Sequence, residues 1–460
     1  MIWKRRQQPR PADTTEKPTS LLAVVAAATS AAGAQGWQAL DQLIDALAGC
    51  AATSDADLGR SALALLGSAP RTVLRLDEHA RRGWPYAPPS SPHGGQGMQR
   101  LAQGLASPIA LAITSLHGDG RVRERAVKAM LAAPSPELMP FLVLRTSDWV
   151  RQVRDRARAG LALLLAENPA GYLPAALPVT LLIAARDRGG FARTQALAAI
   201  ITAPDRVLAS LVASPDRRVR QFVFDARLAQ RRLRFADLVI IATTDPDVRI
   251  RSHAAEAACR EAVWTRRVEP LRRLGRHRRP EVRTVALTAL SRLGHDTEVT
   301  AHLDDDNGLI RALARQCARQ VGTDPLVAYR ASVTGPEPTP GAVAGLAEIG
   351  SPADASLLRP LLTHPQATIR AATIRGLVRL DTITPDCLIP LLRDPSPSVV
   401  REAATALRPS HRQLPDQLAW ELLAEPSGAC RRAGYRLVRP RDPHSWLRAA
   451  LLQARDPDPD

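Results

Sequence analysis

Aromatic side chains are scarce in this sequence of 460 residues, which has 3 % Phe, Trp and Tyr among 45 % hydrophobic residues. The hydrophobic fraction excludes wholesale disorder, and the shortage of aromatics means that Leu, Val and Ala must fill the core. Because these residues together suit helices better than sheets, the composition predicts an all-α protein. No apolar stretch approaches the ~20 residues needed to cross a bilayer, so we expect no membrane span.

Cysteine is also rare, and its spacing excludes two kinds of site. Scattered cysteines in an odd number fit neither a disulfide framework nor a zinc site, so we expect them to fill the core as small apolar residues. Such usage favours a reducing compartment, and we predict a cytoplasmic protein. The cysteines are Cys50, Cys259, Cys317, Cys387 and Cys430.

The N-terminus allows an alternative location. Basic residues between Lys4 and Arg10 precede the apolar run Leu21–Ala28, an order that resembles a secretory signal. Acidic residues and prolines separate the two parts, however, and Thr19 or Ser20 is a good N-cap for an ordinary helix. We therefore expect residues 1–18 to form a basic, disordered tail, with export as the alternative.

Lysine is nearly absent, since only Lys4, Lys17 and Lys128 occur and the other 59 of the 62 basic residues are arginine. A GC-rich genome explains the choice of arginine, but it does not explain why bases exceed the 45 acidic residues by 17. That excess creates a positive field that attracts anionic partners.

An aliphatic residue followed by arginine recurs along the chain. Successive arginines are 31, 66, 31, 32, 28, 59 and 31 residues apart, and the two long gaps each hold a degenerate copy, near Ala192-Arg193 and around Thr339. Cys430-Arg431 adds a further copy. A period of this length indicates an array of stacked repeats. The pairs are Val122-Arg123, Val153-Arg154, Val219-Arg220, Ile250-Arg251, Val282-Arg283, Ile310-Arg311, Ile369-Arg370 and Val400-Arg401.

Each copy has the pattern of a helical hairpin. A turn with Pro or Asp precedes the pair, and Pro215, Pro246 and Pro365 each lie five residues before their arginine. Proline suits the first turn of a helix, where its missing N–H costs nothing. Apolar residues then follow at helical spacing. The helix before the turn also carries a proline, and Pro390 is expected to bend it.

A bent first helix, a Pro/Asp turn and an arginine-led second helix resemble the HEAT repeat, including the HEAT-like repeats of the phycobilisome-lyase type. The resemblance extends over about residues 101–440. It implies an all-α fold, an α-solenoid of about ten to twelve stacked HEAT-like helical hairpins. Copies near 186–200 and 335–350 depart from the pattern, so we expect local irregularities there.

The array is predicted to cover residues 101–452, and the flanking segments differ from it. Residues 19–82 have a helical pattern without the repeated arginine, which predicts an atypical N-terminal capping region. Residues 83–100 are rich in Pro and Gly and should form a loop. Residues 453–460 should form an acidic, Pro-rich tail.

The repeated arginine has two possible roles. One arginine per repeat could form a row matched to a charged polymer. Alternatively, it could bond to the acids or carbonyls of adjacent turns and tie neighbouring repeats together. The HEAT resemblance implies the structural role, and Asp216, Asp245 and Asp394 place acids in the turns. We therefore predict a structural role.

Positive charge is concentrated between residues 217 and 283, which contain 18 arginines and 8 acidic residues. Such a region could bind phosphates, an acidic protein segment or an anionic surface, or it could be an ordinary solvated face. On the helix expected near 266–276, Arg266 and Arg273 share one side. The candidate binding residues are Arg231, Arg232, Arg234, Arg266, Arg267, Arg272, Arg273, Arg276, Arg278 and Arg279.

A catalytic role is a remote possibility that the resemblance raises. HEAT-like arrays include DNA glycosylases, which hold a damaged nucleotide with groove tryptophans and use an aspartate. No local motif matches here, and a tryptophan packed between repeats is the ordinary explanation. The residues that could form such a site are Asp148, Trp149, Asp155 and Trp264.

The sequence contains no phosphate loop, hydrolase elbow or metal-binding spacing, so we predict no cofactor, no metal and no small-molecule substrate. We predict a non-enzymatic HEAT-repeat scaffold or adaptor that binds a protein partner with an acidic segment through its concave or basic surface. The main alternative is a nucleic-acid-binding solenoid that uses residues 217–283. A HEAT-like DNA glycosylase is the remote alternative.

Overall fold

The computed structural model describes residues 18–34, 37–52, 55–83, 107–438, 442–454 and 456. Most of the predicted basic tail, most of the predicted loop at 83–100 and most of the predicted acidic tail lie outside these residues. The described residues form α-helices and short 3-10 helices, with no strand among them. They divide into two compact units, Met1–Leu233 and Arg234–Asp460.

The first unit contains twelve described α-helices and one 3-10 turn, Pro136–Leu138. The α-helices are α1 (Pro18–Ala34), α2 (Trp37–Ala52), α3 (Ala56–Gly67), α4 (Pro70–Gly83), α5 (Pro108–Thr114), α6 (Gly120–Ala132), α7 (Met139–Arg145), α8 (Arg151–Glu167), α9 (Pro169–Ile183), α10 (Gly190–Thr202), α11 (Asp205–Val212) and α12 (Arg217–Ala229).

The second unit contains fifteen described α-helices and four 3-10 segments, Pro352–Asp354, Arg359–Thr363, Pro390–Arg393 and Arg408–Gln413. The α-helices are α13 (Phe235–Thr244), α14 (Val248–Trp264), α15 (Val268–Gly275), α16 (Pro280–Arg292), α17 (Asp296–Thr300), α18 (Gly308–Gln320), α19 (Pro325–Thr334), α20 (Pro340–Ile349), α21 (Ala355–Leu358), α22 (Ala367–Arg379), α23 (Pro385–Leu388), α24 (Pro397–Leu407), α25 (Asp416–Leu423), α26 (Gly428–Val438) and α27 (Pro443–Gln453).

From α5 to α26 the helices pair into hairpins, and within each unit the hairpins stack. The second helices of consecutive hairpins pack directly on one another, from α6 to α12 in the first unit and from α14 to α26 in the second. Buried Leu, Val, Ile and Ala fill the space between them. A hairpin cannot bury its apolar face alone, so stacking supplies the core. The predicted all-α, solenoid-type fold is confirmed.

Second helices begin where the turn chemistry predicts. Asp247 caps α14, because its carboxylate accepts hydrogen bonds from the backbone N–H groups of Arg249 (2.9 Å) and Ile250 (3.2 Å). In two of the later repeats the first helix changes type at its proline. The α-helix α23 ends at Leu388 and continues as the 3-10 segment Pro390–Arg393. The helix type therefore changes at Pro390, where the sequence predicted a bend.

The N-terminal region is helical, as its pattern predicts, and packs onto the hairpins of the first unit. Helices α2 and α3 contact α5, and α4 contacts α7 and α9. Asp77 of α4 forms a buried ion pair with Arg145 of α7. Its role as a cap on the array stays a prediction.

Two details differ from the sequence expectations. Cys387 is exposed rather than part of the core, whereas the other four cysteines are buried. Arg401 does not take the position of the other repeated arginines. Because α24 begins at Pro397, the buried Val400 takes that position, and the Arg401 side chain, 58 % exposed, pairs only with Glu402.

The irregularities expected near 186–200 and 335–350 involve single positions rather than lost hairpins, because α10 and α20 form normally. Arg188 adopts a left-handed φ of 68° in the turn before α10. In α20 the buried Val343 stands where other repeats have arginine. None of the described helices is both long and apolar enough to cross a membrane.

Candidate functional site

Most of the repeated arginines hold the turn that precedes their own helix. Nη1 of Arg251 donates to the carbonyl oxygens of Asp245 (2.7 Å) and Pro246 (2.9 Å), six and five residues earlier. These two carbonyls lie in the turn between the helices of the hairpin, so the guanidinium fixes that turn. Contacts with both carbonyls recur at Arg123, Arg154, Arg220, Arg283, Arg370 and Arg431, and Arg311 makes the first of them.

The other side of the guanidinium often reaches a carboxylate further along the chain. Arg283 donates to both carboxylate oxygens of Asp305, at 2.9 and 2.7 Å, and Arg370 does the same with Asp394, at 2.8 and 2.7 Å. Where the next turn has histidine instead of an acid, Arg251 pairs with Glu281 at 2.6 Å. These contacts confirm the structural role of the repeated arginines. The arginines that make these contacts are therefore not free for a ligand.

The turn acids predicted as partners divide between two tasks. Asp394 binds the arginine side chain, as predicted. Asp216 and Asp245 instead cap the backbone, because their carboxylates accept from the N–H groups of Arg218 and Asp247, both at 2.8 Å.

Asp148, the first residue of the glycosylase-like set, lies in a buried ionic network. Arg123 donates to both of its oxygens at 2.9 Å, and Arg145 donates to Oδ2 at 3.1 Å. The N–H of Val150 adds a bond of 3.0 Å to Oδ1. Burial by itself raises the pKa of Asp148, but the hydrogen bond and charge of Arg123 and the charge of Arg145 lower it overall. This carboxylate is fully buried and therefore presents no oxygen to a substrate in solution.

The other residues of that set have different surroundings. The ring of Trp149 is 64 % exposed and carries the Arg123 guanidinium, 5.6 Å from its centroid. Asp155 is exposed on α8 and pairs with Arg151 at 3.3 Å. Trp264 belongs to the second unit, where it ends α14.

Of the ten candidate binding arginines, four are already occupied. Arg272 binds both oxygens of Glu298, at 2.8 and 2.7 Å, and this hydrogen bonding is the main cause that lowers the pKa of Glu298 to about 2. Arg232 pairs with Asp205 at 3.1 Å, and Arg234 pairs with Asp237 at 3.3 Å. The guanidinium of Arg267 lies over the Phe235 ring, 5.2 Å from its centroid.

The remaining six arginines are exposed and form no ion pair among the described residues. Five of them belong to the second unit, where they lie at both ends of α15 and on its surface. Arg266 precedes this eight-residue helix, whereas Arg276 and Arg278 follow it, and a helix of that length separates its ends by ~12 Å. The six are Arg231, Arg266, Arg273, Arg276, Arg278 and Arg279.

The predicted pairing of Arg266 with Arg273 on one helix face is wrong, because α15 begins only at Val268. Arg266 instead terminates α14 in a left-handed conformation, with a φ of 52°. The N–H of Arg267 then bonds to the carbonyl of Ala262 at 2.8 Å. Glycine normally takes this position, as Gly294 does after α16 with a φ of 83°.

Two grooves between second helices were not predicted. One, of about 340 Å³, lies between α14 and α16, and the other, of about 550 Å³, lies between α6 and α8. Arg260 and Trp264, four residues apart on α14, line the first groove. A spacing of four residues places them on one helix face, and this spacing is the signal in the sequence that could have indicated the groove.

Among the described residues, no group of three or more His, Cys, Asp or Glu side chains is placed to hold a metal ion. The Cys259 thiol lies at the base of the groove between α14 and α16, and burial raises its pKa to about 12. It is therefore a neutral thiol at physiological pH and is not poised as a nucleophile.

The hairpins, their stacking and the turn contacts define an all-α HEAT-repeat architecture. The sequence profile of HEAT repeats matches residues 340–408, which confirms the predicted resemblance; the narrower phycobilisome-lyase type stays a prediction. No curated protein matches the sequence.

The solved structures that match the chain include an engineered protein, with 16 % identity and a TM-score of 0.17 over 93 % of this chain and 96 % of that one. The karyopherin Kap121p bound to the extreme C-terminus of the protein phosphatase Cdc14p has 12 % identity and a TM-score of 0.33, covering 96 % of this chain and 53 % of that one. Importin β has 14 % identity and a TM-score of 0.27, covering 95 % and 60 %. This chain therefore spans little more than half the length of the karyopherin and importin structures.

Proposed function

We propose that this protein is a non-enzymatic scaffold or adaptor, whose second unit binds an acidic segment of a protein partner. One observation carries the proposal. Five arginines in residues 266–279 remain exposed and have no ion-pair partner in the part of the chain that the structure describes. The fold does not need these charges for its own packing, and unneutralised positive charge attracts anionic partners.

The surroundings of the glycosylase-like residues support a non-enzymatic role. Asp148 forms ion pairs with Arg123 and Arg145 and is buried. The carboxylate next to Trp149 is therefore not free to act on a substrate. A cytoplasmic location belongs to the same proposal, because an exposed unpaired thiol such as Cys387 is at home in a reducing compartment.

The test compares an acidic peptide with nucleic acid. Fluorescence anisotropy would follow a labelled Glu-rich peptide, a DNA duplex and an RNA duplex between about 50 and 200 mM salt. We expect the peptide to bind more tightly than either nucleic acid. Charge reversal at Arg273, Arg276 and Arg278 should weaken peptide binding at least about tenfold. Arg272 is left intact because it holds Glu298.

A matched control carries the same change in net charge. Arg121, Arg125 and Arg206 are exposed in the first unit, and their replacement by glutamate should leave the peptide affinity within about twofold. Equal losses in the two variants would show that only net charge matters and would contradict the proposal. Tighter binding of DNA or RNA, lost steeply with salt, would assign the surface to nucleic acid instead.

A further inference from the structure

The groove between α14 and α16 combines an apolar floor with unpaired charge. Its volume is about 340 Å³, and aliphatic side chains such as Val263, Val285 and Ala289 form part of its lining. Trp264 stands at one end with 84 % of its surface exposed. Tryptophan is one of the residue types that are enriched among the hot spots near the centre of protein interfaces.

Two arginines flank this groove and have no ion-pair partner among the described residues. Arg260 lies one turn before Trp264 on the same face of α14, and Arg292 is the last residue of α16. Both are exposed. Glu256 is the one acidic residue among those that line the groove, and it forms no ion pair with Arg260.

The corresponding groove in the first unit shows that the fold does not require this arrangement. Between α6 and α8, Arg156 pairs with Glu124 at 3.1 Å, and Asp155 pairs with Arg151 at 3.3 Å. Each charged side chain that lines that groove therefore has an ion-pair partner. The groove between α14 and α16 has the same architecture but keeps its positive charges unpaired.

We propose that the groove between α14 and α16, here called the Trp264 groove, binds a short acidic peptide segment of a partner protein. An aliphatic side chain of the segment lies on the apolar floor, its backbone packs on the Trp264 ring, and its carboxylates pair with Arg260 and Arg292. This inference rests on the proposed function and names the site at which the acidic segment binds.

The chemistry of the groove favours a peptide over nucleic acid. A nucleic-acid strand carries a phosphate at every residue and would meet the carboxylate of Glu256 along this groove. A peptide can place an uncharged residue there. The aliphatic floor also suits a Leu or Val side chain better than a polar base edge.

To test this proposal, short random peptides displayed on phage are selected for binding to the full-length protein. We expect enriched peptides to carry an aliphatic residue flanked by Asp or Glu. Affinities of an enriched peptide are then measured by fluorescence anisotropy. The Trp264→Ala variant and an Arg260→Gln/Arg292→Gln variant should each bind at least about tenfold more weakly.

Matched controls come from the first unit. Trp149→Ala removes another exposed tryptophan, and Arg121→Gln/Arg125→Gln removes two exposed arginines. Both variants should keep the affinity within about twofold. Because all the substituted side chains are exposed, circular dichroism should show unchanged helix content in every variant.

Each other outcome overturns the inference in a distinct way. Acidic peptides that lose affinity only on charge reversal at Arg273, Arg276 and Arg278 would overturn the Trp264 groove and leave the proposed function intact. Enrichment without an acidic preference would overturn both. Single-stranded DNA or RNA that binds in a Trp264-dependent manner and displaces the peptide would assign the groove to nucleic acid.

Discussion

A single arginine position accounts for much of the internal cohesion. Its guanidinium binds the carbonyls of the preceding turn and, in several repeats, a carboxylate more than twenty residues ahead, as in the pairs Arg283–Asp305 and Arg370–Asp394. Planar, bidentate geometry of this kind is specific to arginine and would be lost with lysine. Arginine is therefore a structural requirement in these positions.

Asp148 provides the sharpest test at this scale. Replacement by Asn would leave Arg123 and Arg145 buried without a full counter-charge, because an amide N–H₂ would face a guanidinium. We expect the free energy of unfolding to fall by about 3–5 kcal/mol, measured by urea denaturation followed by circular dichroism.

The control is Asp155→Asn on the exposed face of α8, where the ion pair with Arg151 at 3.3 Å is open to solvent. It should cost less than about 0.5 kcal/mol. If Asp148→Asn were as mild as this control, the buried network would not stabilise the fold in the expected way.

At the scale of helices, the exact first residue decides what a side chain does. Arg401 follows the 31-residue period, yet α24 begins one residue early relative to that period, so Val400 enters the core position and Arg401 faces solvent. The same sensitivity separates Arg266 from α15, which begins two residues after it. A shift of one residue turns a helical side chain by about 100°, so a correct period still leaves the direction of a single side chain open.

Close packing between α19 and α20 yields a prediction for Gly345. A Cβ built there would overlap Cε1 and Cζ of the buried Tyr329, whose hydroxyl donates to the carbonyl of Leu303 at 2.9 Å. The Gly345→Ala variant must move the ring or separate the helices. We expect a loss of about 1–3 kcal/mol in the free energy of unfolding, measured by urea denaturation.

A second glycine to alanine change isolates this packing effect. Gly190 opens α10, and a Cβ there meets no atom within 4 Å. Because alanine is the better helix former, Gly190→Ala should be neutral or slightly stabilising, by up to about 1 kcal/mol. A loss equal to that of Gly345→Ala would mean that close approach to Tyr329 is not the cause.

At the scale of the whole chain, turn histidines link stability to pH. Burial lowers the pKa values of His117, His277 and His302. Nδ1 of His117 accepts from the N–H of Asp119 at 2.9 Å, and Nδ1 of His277 accepts from that of Arg279 at 3.2 Å. Both bonds need the unprotonated nitrogen.

Stability should therefore fall as the pH drops below about 6.5. Below that value the unfolded chain takes up protons that these folded histidines resist, so protonation favours unfolding, whereas above it both states are neutral. We expect the urea midpoint to be steady between pH 8 and 7 and lower at pH 5.5. A second fall below about pH 4.5 follows from Glu298 and Asp354, whose pKa values are lowered to about 2, chiefly by hydrogen bonds from Arg272 and Arg330.

Asparagine variants identify the groups responsible for the first fall. His117→Asn and His277→Asn together keep an acceptor for the turn but cannot titrate, so the decrease between pH 7 and 5.5 should become smaller. His444→Asn changes an exposed histidine and should leave the decrease as it is. An unchanged pH profile in the double variant would assign the acid sensitivity to other residues.

The period of the arginine pairs, the prolines of the turns and the helical spacing of Leu, Val and Ala by themselves determined the hairpins, because these signals act over a few neighbouring residues. They also indicated a structural arginine and the partner Asp394. Only the tertiary structure decided that Arg272 is occupied by Glu298, that Asp148 is enclosed by Arg123 and Arg145, and that Arg260, Trp264 and Arg292 share a groove. Those facts depend on which turn or helix comes to lie beside which, and residues more than twenty positions apart meet only after the hairpins have stacked.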